Sequence, residues 1–202
     1  MCAARRLSEA ERKKEIMDSA AKVIMDKGFE KATMEEIIAG TTLSKGGVYH
    51  YYGSVIEIFK DIMISGIEYR NKIIKEHMSV ENKFISNAFM AKEMLDKIID
   101  DNPYMPLYVE FLIAKKRNAE LQELMIELQE QTKESFKMIF EDTPNWVVDA
   151  NMFQIVTDFM NAMILGSNVL EARECFKKNR QLLEQMLTFM FENSSLQIKS
   201  QG

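Results

Sequence analysis

Ser44, Lys45, Gly46 and Gly47, followed by Tyr49, His50, Tyr51 and Tyr52, gather within nine residues the groups suited to holding a phosphate backbone. Ser44 is a good helix N-cap, so Gly46 and Gly47 fall in a first helical turn, where each costs about 1 kcal/mol relative to Ala. A segment needed only as a helix would not carry them. Two positions without side chains, beside a lysine, let a helix N-terminus come close to another molecule, and the backbone N–H groups at such an end favour phosphate. The tyrosine hydroxyls and the imidazole add donors of the kind that bond sugar-phosphate oxygens. The plainer alternative is a glycine-softened loop between two core helices, with the tyrosines half-buried for packing.

The elements around this segment are marked by three capping boxes, Ser8 with Glu11, Thr33 with Glu36 and Ser54 with Glu57. In such a pair the first hydroxyl accepts from the backbone three residues on, and the acid reaches back. They predict helices over residues 8–27, closed by Gly28, over 33–40, and from 54 to about 75. Two short helices and a tight turn, opening onto a third, are the layout of a helix-turn-helix.

Further along, residues 80–101 carry an amphipathic helix on Phe84, Ile85, Phe89, Met94, Leu95 and Ile98. Asn102-Pro103 opens a short aromatic helix to about Lys116, and Asn118 a long one to Phe140. An eighth runs from Thr143-Pro144 to about Glu174 and a ninth over residues 177–192. With only 3 Pro and 8 Gly in 202 residues, and no alternating β-branched runs, the fold class is all-α.

The eighth and ninth helices are apolar on more faces than one chain needs: Phe159 to Leu165 reads FMNAMIL, and the ninth carries Leu182, Leu183, Met186, Leu187, Phe189, Met190 and Phe191. Pairing with the same helices of a second copy forms a four-helix bundle across a two-fold axis and sets two reading heads about 34 Å apart, matching a palindromic site. The alternative packs both helices inside one chain.

The net charge of −5 does not by itself favour nucleic acid, but it is unevenly spread. Residues 1–55 carry 9 basic against 8 acidic side chains, with Arg5, Arg6, Arg12, Lys13 and Lys14 at the N-terminus, and the remainder carries 17 against 23. No apolar run reaches membrane-spanning length and residues 1–15 lack the apolar core of a signal peptide, so a soluble cytoplasmic protein is expected. Cys2 and Cys175 stand apart without a metal-ligand neighbour. His50 and His77 lack the Glu-x-x-His spacing of a di-metal bundle, and no nucleophile elbow, P-loop or dinucleotide fingerprint occurs. No catalytic residue, metal or cofactor is expected.

Sixteen methionines, many in the C-terminal part, suit a cavity that accepts several shapes. Met90, Met94, Tyr104, Tyr108, Phe111, Met125 and Phe153 are candidates for its apolar lining, with Asn161 as a hydrogen-bonding anchor. The same stripes serve equally as ordinary core. Glu110, flanked by Val109 and Phe111, is either a partner for a cationic ligand or a solvated face residue.

From about Ile16 to Phe59, the ordered set Gly28-Phe29, Ala32-Thr33, Glu36-Ile37, Leu43-Ser44, Gly46, Tyr49, Tyr52 and Ile58-Phe59 resembles the tetracycline-repressor (TetR) family of bacterial transcription regulators. The resemblance implies nine or ten helices, with a three-helix DNA-binding head and a variable body that dimerises and holds an inducing small molecule. On that pattern residues 1–55 form the head and 56–202 the body. Thr33 caps its helix near a phosphate, Ser44, Lys45, Gly46 and Gly47 enter the major groove, and Tyr49, His50 and Tyr51 hold backbone or base edges. The implied partners are an operator duplex, a second copy through the last two helices and an inducer, with repression the usual action. A helical protein-interaction module without sequence-specific DNA binding is the alternative. The chain departs from the family at Thr41-Thr42, where Ala-Gly is usual, at Tyr52, usually Phe, and at Val55, usually Lys, for which Lys60 or the N-terminal arginines are substitutes.

Overall fold

The computed structural model describes residues 7–81, 86–140 and 143–193. Arg5, Arg6, Cys2, Phe84 and Ile85 lie outside them. Eleven α-helices and one 3-10 turn, with no strand among the described residues, replace the nine helices expected. The elements are α1 (Glu9–Lys27), the 3-10 turn (Phe29–Lys31), α2 (Met34–Ala39), α3 (Lys45–Tyr49), α4 (Val55–Glu81), α5 (Asn87–Ile99), α6 (Met105–Ala114), α7 (Ala119–Ile139), α8 (Asn145–Val148), α9 (Ala150–Val169), α10 (Arg173–Lys178) and α11 (Arg180–Glu192).

Local chemistry sets these boundaries. Ser8 and Glu11 form a complete capping box, and Ser54 accepts from Glu57 N at 3.3 Å while the Glu57 carboxylate takes the Gly53 N–H. The expected restart near residue 80 is displaced: α4 continues to Glu81, and α5 begins where Ser86 Oγ accepts from Phe89 N at 3.1 Å. The expected eighth helix is interrupted because Asp149 Oδ1 accepts from Met152 N at 2.7 Å and so caps a new helix, leaving α8 as one turn. Its far end stops at Val169, and the chain leaves through Glu171 in a left-handed conformation, φ 58°. Few residues other than glycine hold that geometry, and it separates α10 from α9.

The chain divides into two compact units, residues 1–66 with 106–126, and residues 67–105 with 127–202. The expected boundary at residue 55 falls where α4 starts, and the first turns of α4 belong to the first unit.

In the first unit, Ile16, Ala20 and Ile24 of α1 are buried with Ile37, Val48, Ile58 and Phe59. Phe29 stacks on Phe59 at 5.0 Å between centroids, and Phe59 meets Phe111 of α6 edge-on at 5.9 Å. Glu110, expected as a ligand partner or a solvated residue, does neither: its carboxylate accepts the Phe29 backbone N–H at 2.8 Å. That N–H follows Gly28, whose φ of 82° turns the chain out of α1, and a Cβ at Gly28 would sit 3.2 Å from the same carboxylate oxygen. Arg117 and Glu30 approach to 4.0 Å beside it.

In the second unit, α5 packs along α9 and α11, burying Met90, Leu95, Ile98, Met160, Met163, Ile164 and Leu187. The C-terminal carbonyls of α5 are satisfied from outside the helix: Ser167 Oγ donates to Ile98 O at 3.2 Å and Arg173 Nε to Ile99 O at 2.6 Å. A second aromatic cluster joins Trp146 to Phe136, Phe153 and Phe191.

Replacing Glu110 by Ala leaves the part-buried Phe29 N–H without its acceptor, a loss of about 1 kcal/mol. Urea unfolding is expected to show a lower midpoint for Glu110→Ala, with Glu110→Gln, whose amide oxygen still accepts, lying between that variant and the parent.

Candidate nucleic-acid interface

Two short helices form the candidate face, and neither is long enough to be stable alone. Each is held by one cap and a buried residue. Thr33 Oγ1 accepts from Glu36 N at 3.3 Å and Ser44 Oγ from Gly47 N at 3.2 Å, while Ile37 and Val48 are fully buried beneath. Glu36 does not complete its box; its carboxylate pairs with Lys27, whose bond holds it below the usual carboxylate range.

The Thr41-Thr42 turn is closed by a side chain. Thr41 Oγ1 donates to Ile38 O at 3.0 Å and accepts from Leu43 N at 3.3 Å, and Thr42 N donates to Glu15 of α1. Among the described residues only Gly28 and Glu171 have positive φ, so the turn needs no left-handed residue. The hydroxyl supplies what a glycine conformation supplies elsewhere.

Tyr52 does more than replace a phenylalanine. It is buried, its hydroxyl donates to Asp61 Oδ2 at 2.8 Å, and Lys13 lies 5.6 Å over the ring and 3.8 Å from Asp61. Burial, reinforced by Asp61, pushes the phenol well above its ordinary range, so it stays a neutral donor. This one side chain ties the end of the segment to α1 and α4.

Of the eight sequence candidates, Thr33, Ser44, Lys45, Gly46, Tyr49 and His50 are exposed, and Gly47 and Tyr51 are half-buried. The two glycines differ. A Cβ at Gly46 would meet nothing within 4 Å, whereas one at Gly47 would lie 3.3 Å from Ser44 Oγ and 3.6 Å from Leu43 Cβ. Gly46 therefore faces open space, and Gly47 lies against the cap. Lys45 Nζ lies 5.8 Å over the Tyr49 ring, and His50 sits edge-on to Tyr51 at 4.9 Å. The sequence reading passed over Glu35, whose carboxylate is 3.9 Å from Lys45 Nζ. Its place in the first turn of α2 is one that acids fill for helix stability alone, which hid it.

The eight candidate ligand residues divide between the units. Tyr108, Phe111 and Met125 belong to the first, where Phe111 is fully buried against Phe59 and Tyr108. Met90, Met94, Tyr104, Phe153 and Asn161 belong to the second. There Tyr104 meets Tyr69 at 5.6 Å, and Phe153 stacks on Trp146 with Lys133 Nζ 4.7 Å over its face.

His77, Glu93 and Asp96 bring ligand-type atoms within 4.8 Å of one another. The carboxylates are already engaged: Glu93 bonds Arg70 and His77 at 2.6 Å each, and Asp96 pairs with Arg180. Two acids against two guanidiniums and an imidazole form a self-satisfied ion-pair network.

Residues 16–62 match the model of the bacterial regulatory proteins of the tetR family. The likeness to that family is thus carried by residues 16–62 of the chain. It is 31% identical over 133 residues to YfiR of Bacillus subtilis (strain 168), an uncharacterised HTH-type transcriptional regulator, and the match spans 64% of each chain. The fold is similar to that of Salmonella enterica GusR, with TM-score 0.71 and 16% identity over 93% of this chain and 100% of that one. It is also similar to the fatty acid degradation regulator FadR of Bacillus halodurans, with TM-score 0.64 and 13% identity over 91% and 97% of the two chains. Among the described residues no helix is long and apolar enough to cross a membrane.

Adding a methyl group separates the two glycines. Gly46→Ala meets no atom and is expected to raise the thermal midpoint, by up to about 1 kcal/mol of helix propensity. Gly47→Ala presses on Ser44 and Leu43 and is expected to give little of that gain or none, as read by thermal denaturation of the two variants side by side.

Proposed function

We propose that this chain is a TetR-family, ligand-responsive transcriptional regulator that binds a palindromic operator as a homodimer and represses until a small hydrophobic molecule releases it. The observation that carries the DNA reading is the α2–α3 face. There Thr33, Ser44, Lys45, Gly46, Tyr49 and His50 are exposed around a bare helix start, while Val48 and Tyr52 are sunk in the head. Such a face lets a helix N-terminus approach phosphate or base edges closely. A helical protein-interaction module would give no reason to keep Gly46 bare. The partner DNA assigns the protein to the cytoplasm.

The homodimer is supported by α11, where Leu182, Met186 and Phe189 are 56%, 51% and 67% exposed and recur at i, i+4 and i+7 as one apolar stripe. Ile155 and Phe159 of α9 are also exposed. A stripe of this kind on a helix whose other face holds Leu187 and Phe191 in the core asks for a partner, and a second copy is the simplest.

The inducer is assigned to the second unit, to the apolar and aromatic residues Met90, Met94, Tyr104 and Phe153, with Asn161 as polar anchor. α4 contributes residues to both compact units and is the covalent path by which binding would change the spacing of two heads. A coupling of about 1–3 kcal/mol is enough for release.

Selection of duplexes from a random pool is expected to return a palindrome, with affinity falling steeply as salt rises. A response flat in salt would sink the DNA reading and favour a protein partner. Gly46→Ala is expected to lower affinity for the selected duplex at least tenfold while the fold is kept. Phe189→Asp is expected to shift the protein to monomer in light scattering and to weaken operator binding, with helicity unchanged; a Phe189→Asp protein that stays dimeric would move the interface elsewhere.

A further inference from the structure

Glu35 is the second residue of α2 and Lys45 the first of α3; both side chains are 70% exposed and stand 3.9 Å apart. An exposed pair at that distance contributes little to stability. A carboxylate on a face meant for DNA also repels every phosphate near it. The neighbouring acid of α2, Glu36, is drawn off by Lys27, and Glu15 of α1 is occupied by the Thr42 N–H. Glu35 is instead held beside the lysine at the start of α3.

In the major groove a carboxylate finds a donor in the cytosine N4 amino group, and a lysine finds two acceptors in guanine O6 and N7. A C·G pair presents these side by side, in the order that a carboxylate and an ammonium held next to each other can engage together. A T·A pair exchanges the two, setting thymine O4 against the carboxylate and the adenine amino group against the ammonium. We propose that Glu35 and Lys45 read one C·G base pair in each half-site, Glu35 accepting from cytosine N4 and Lys45 donating to guanine O6 or N7. The inference rests on the DNA-binding reading above, and makes Lys45 a base reader instead of a phosphate anchor.

The test uses the full chain and the duplex selected from the random pool, with every position replaced in turn by the other three pairs. The unaltered protein is expected to lose about tenfold or more at one C·G pair per half-site when that pair becomes T·A. Glu35→Gln is expected to abolish that discrimination, or turn it toward adenine, which glutamine bonds at N6 and N7, while preferences elsewhere are unchanged. Circular dichroism of Glu35→Gln confirms that the fold is kept. Two results would overturn the inference with the DNA reading intact: unchanged preference at every position in Glu35→Gln, or affinity raised equally on all duplexes, which would make Glu35 only a repulsive charge. Recovery of no preferred duplex by the unaltered protein overturns the DNA reading itself, and the inference with it.

Discussion

The backbone of Phe29 gives its N–H to Glu110 while its ring stacks on Phe59, and Phe59 in turn lies edge-on to Phe111. A donor drawn partly out of solvent needs an acceptor, and here it comes from a residue 81 positions away in sequence. Gly28 makes the approach possible twice over, by its backbone angle and by having no side chain to fill the space the carboxylate occupies. The three-helix head is thus completed by the start of α4 and by α6, and the first unit draws on a sequence stretch far beyond the helix-turn-helix.

Within that unit, framework and exposed face are kept apart residue by residue. Tyr49 and Tyr52 are three positions apart on one short segment, yet one is exposed and the other is buried with its hydroxyl on Asp61. Gly46 and Gly47 are adjacent, yet one looks into open space and the other onto a cap. The distinction follows from Val48, fully buried, which fixes the rotation of α3 and thereby which neighbours point outward.

Features governed by adjacent residues could be read from the sequence. The capping boxes at Ser8 and Ser54, the cap at Asn118, the all-α class and the exposed N-terminus of α3 all depend on interactions spanning a few positions. What escaped was decided by competition. Asp149 reads as one more polar residue within a long helix until its carboxylate is seen to cap Met152. Glu171 carries no sign of a left-handed turn, because the preference it violates belongs to its side chain and the force that imposes it belongs to the packing. Glu110 was misjudged because its partner is a backbone N–H, which no side-chain pattern reveals. Glu35 and Lys45 belong to different helices, and only the turn between them brings the charges together.

The shortness of α3 has a consequence for how such a protein can diversify. Five residues cannot make a helix by themselves, so this one exists because Ser44 caps it and Val48 and Tyr52 fasten it down. Its outward positions carry almost none of the stability, and a change at Lys45, Tyr49 or His50 leaves the scaffold indifferent. Under the proposed DNA reading, a duplicated copy of the chain can therefore drift in which sequence it prefers without passing through unfolded intermediates, and two descendants can part company in their targets while sharing every buried residue of the head.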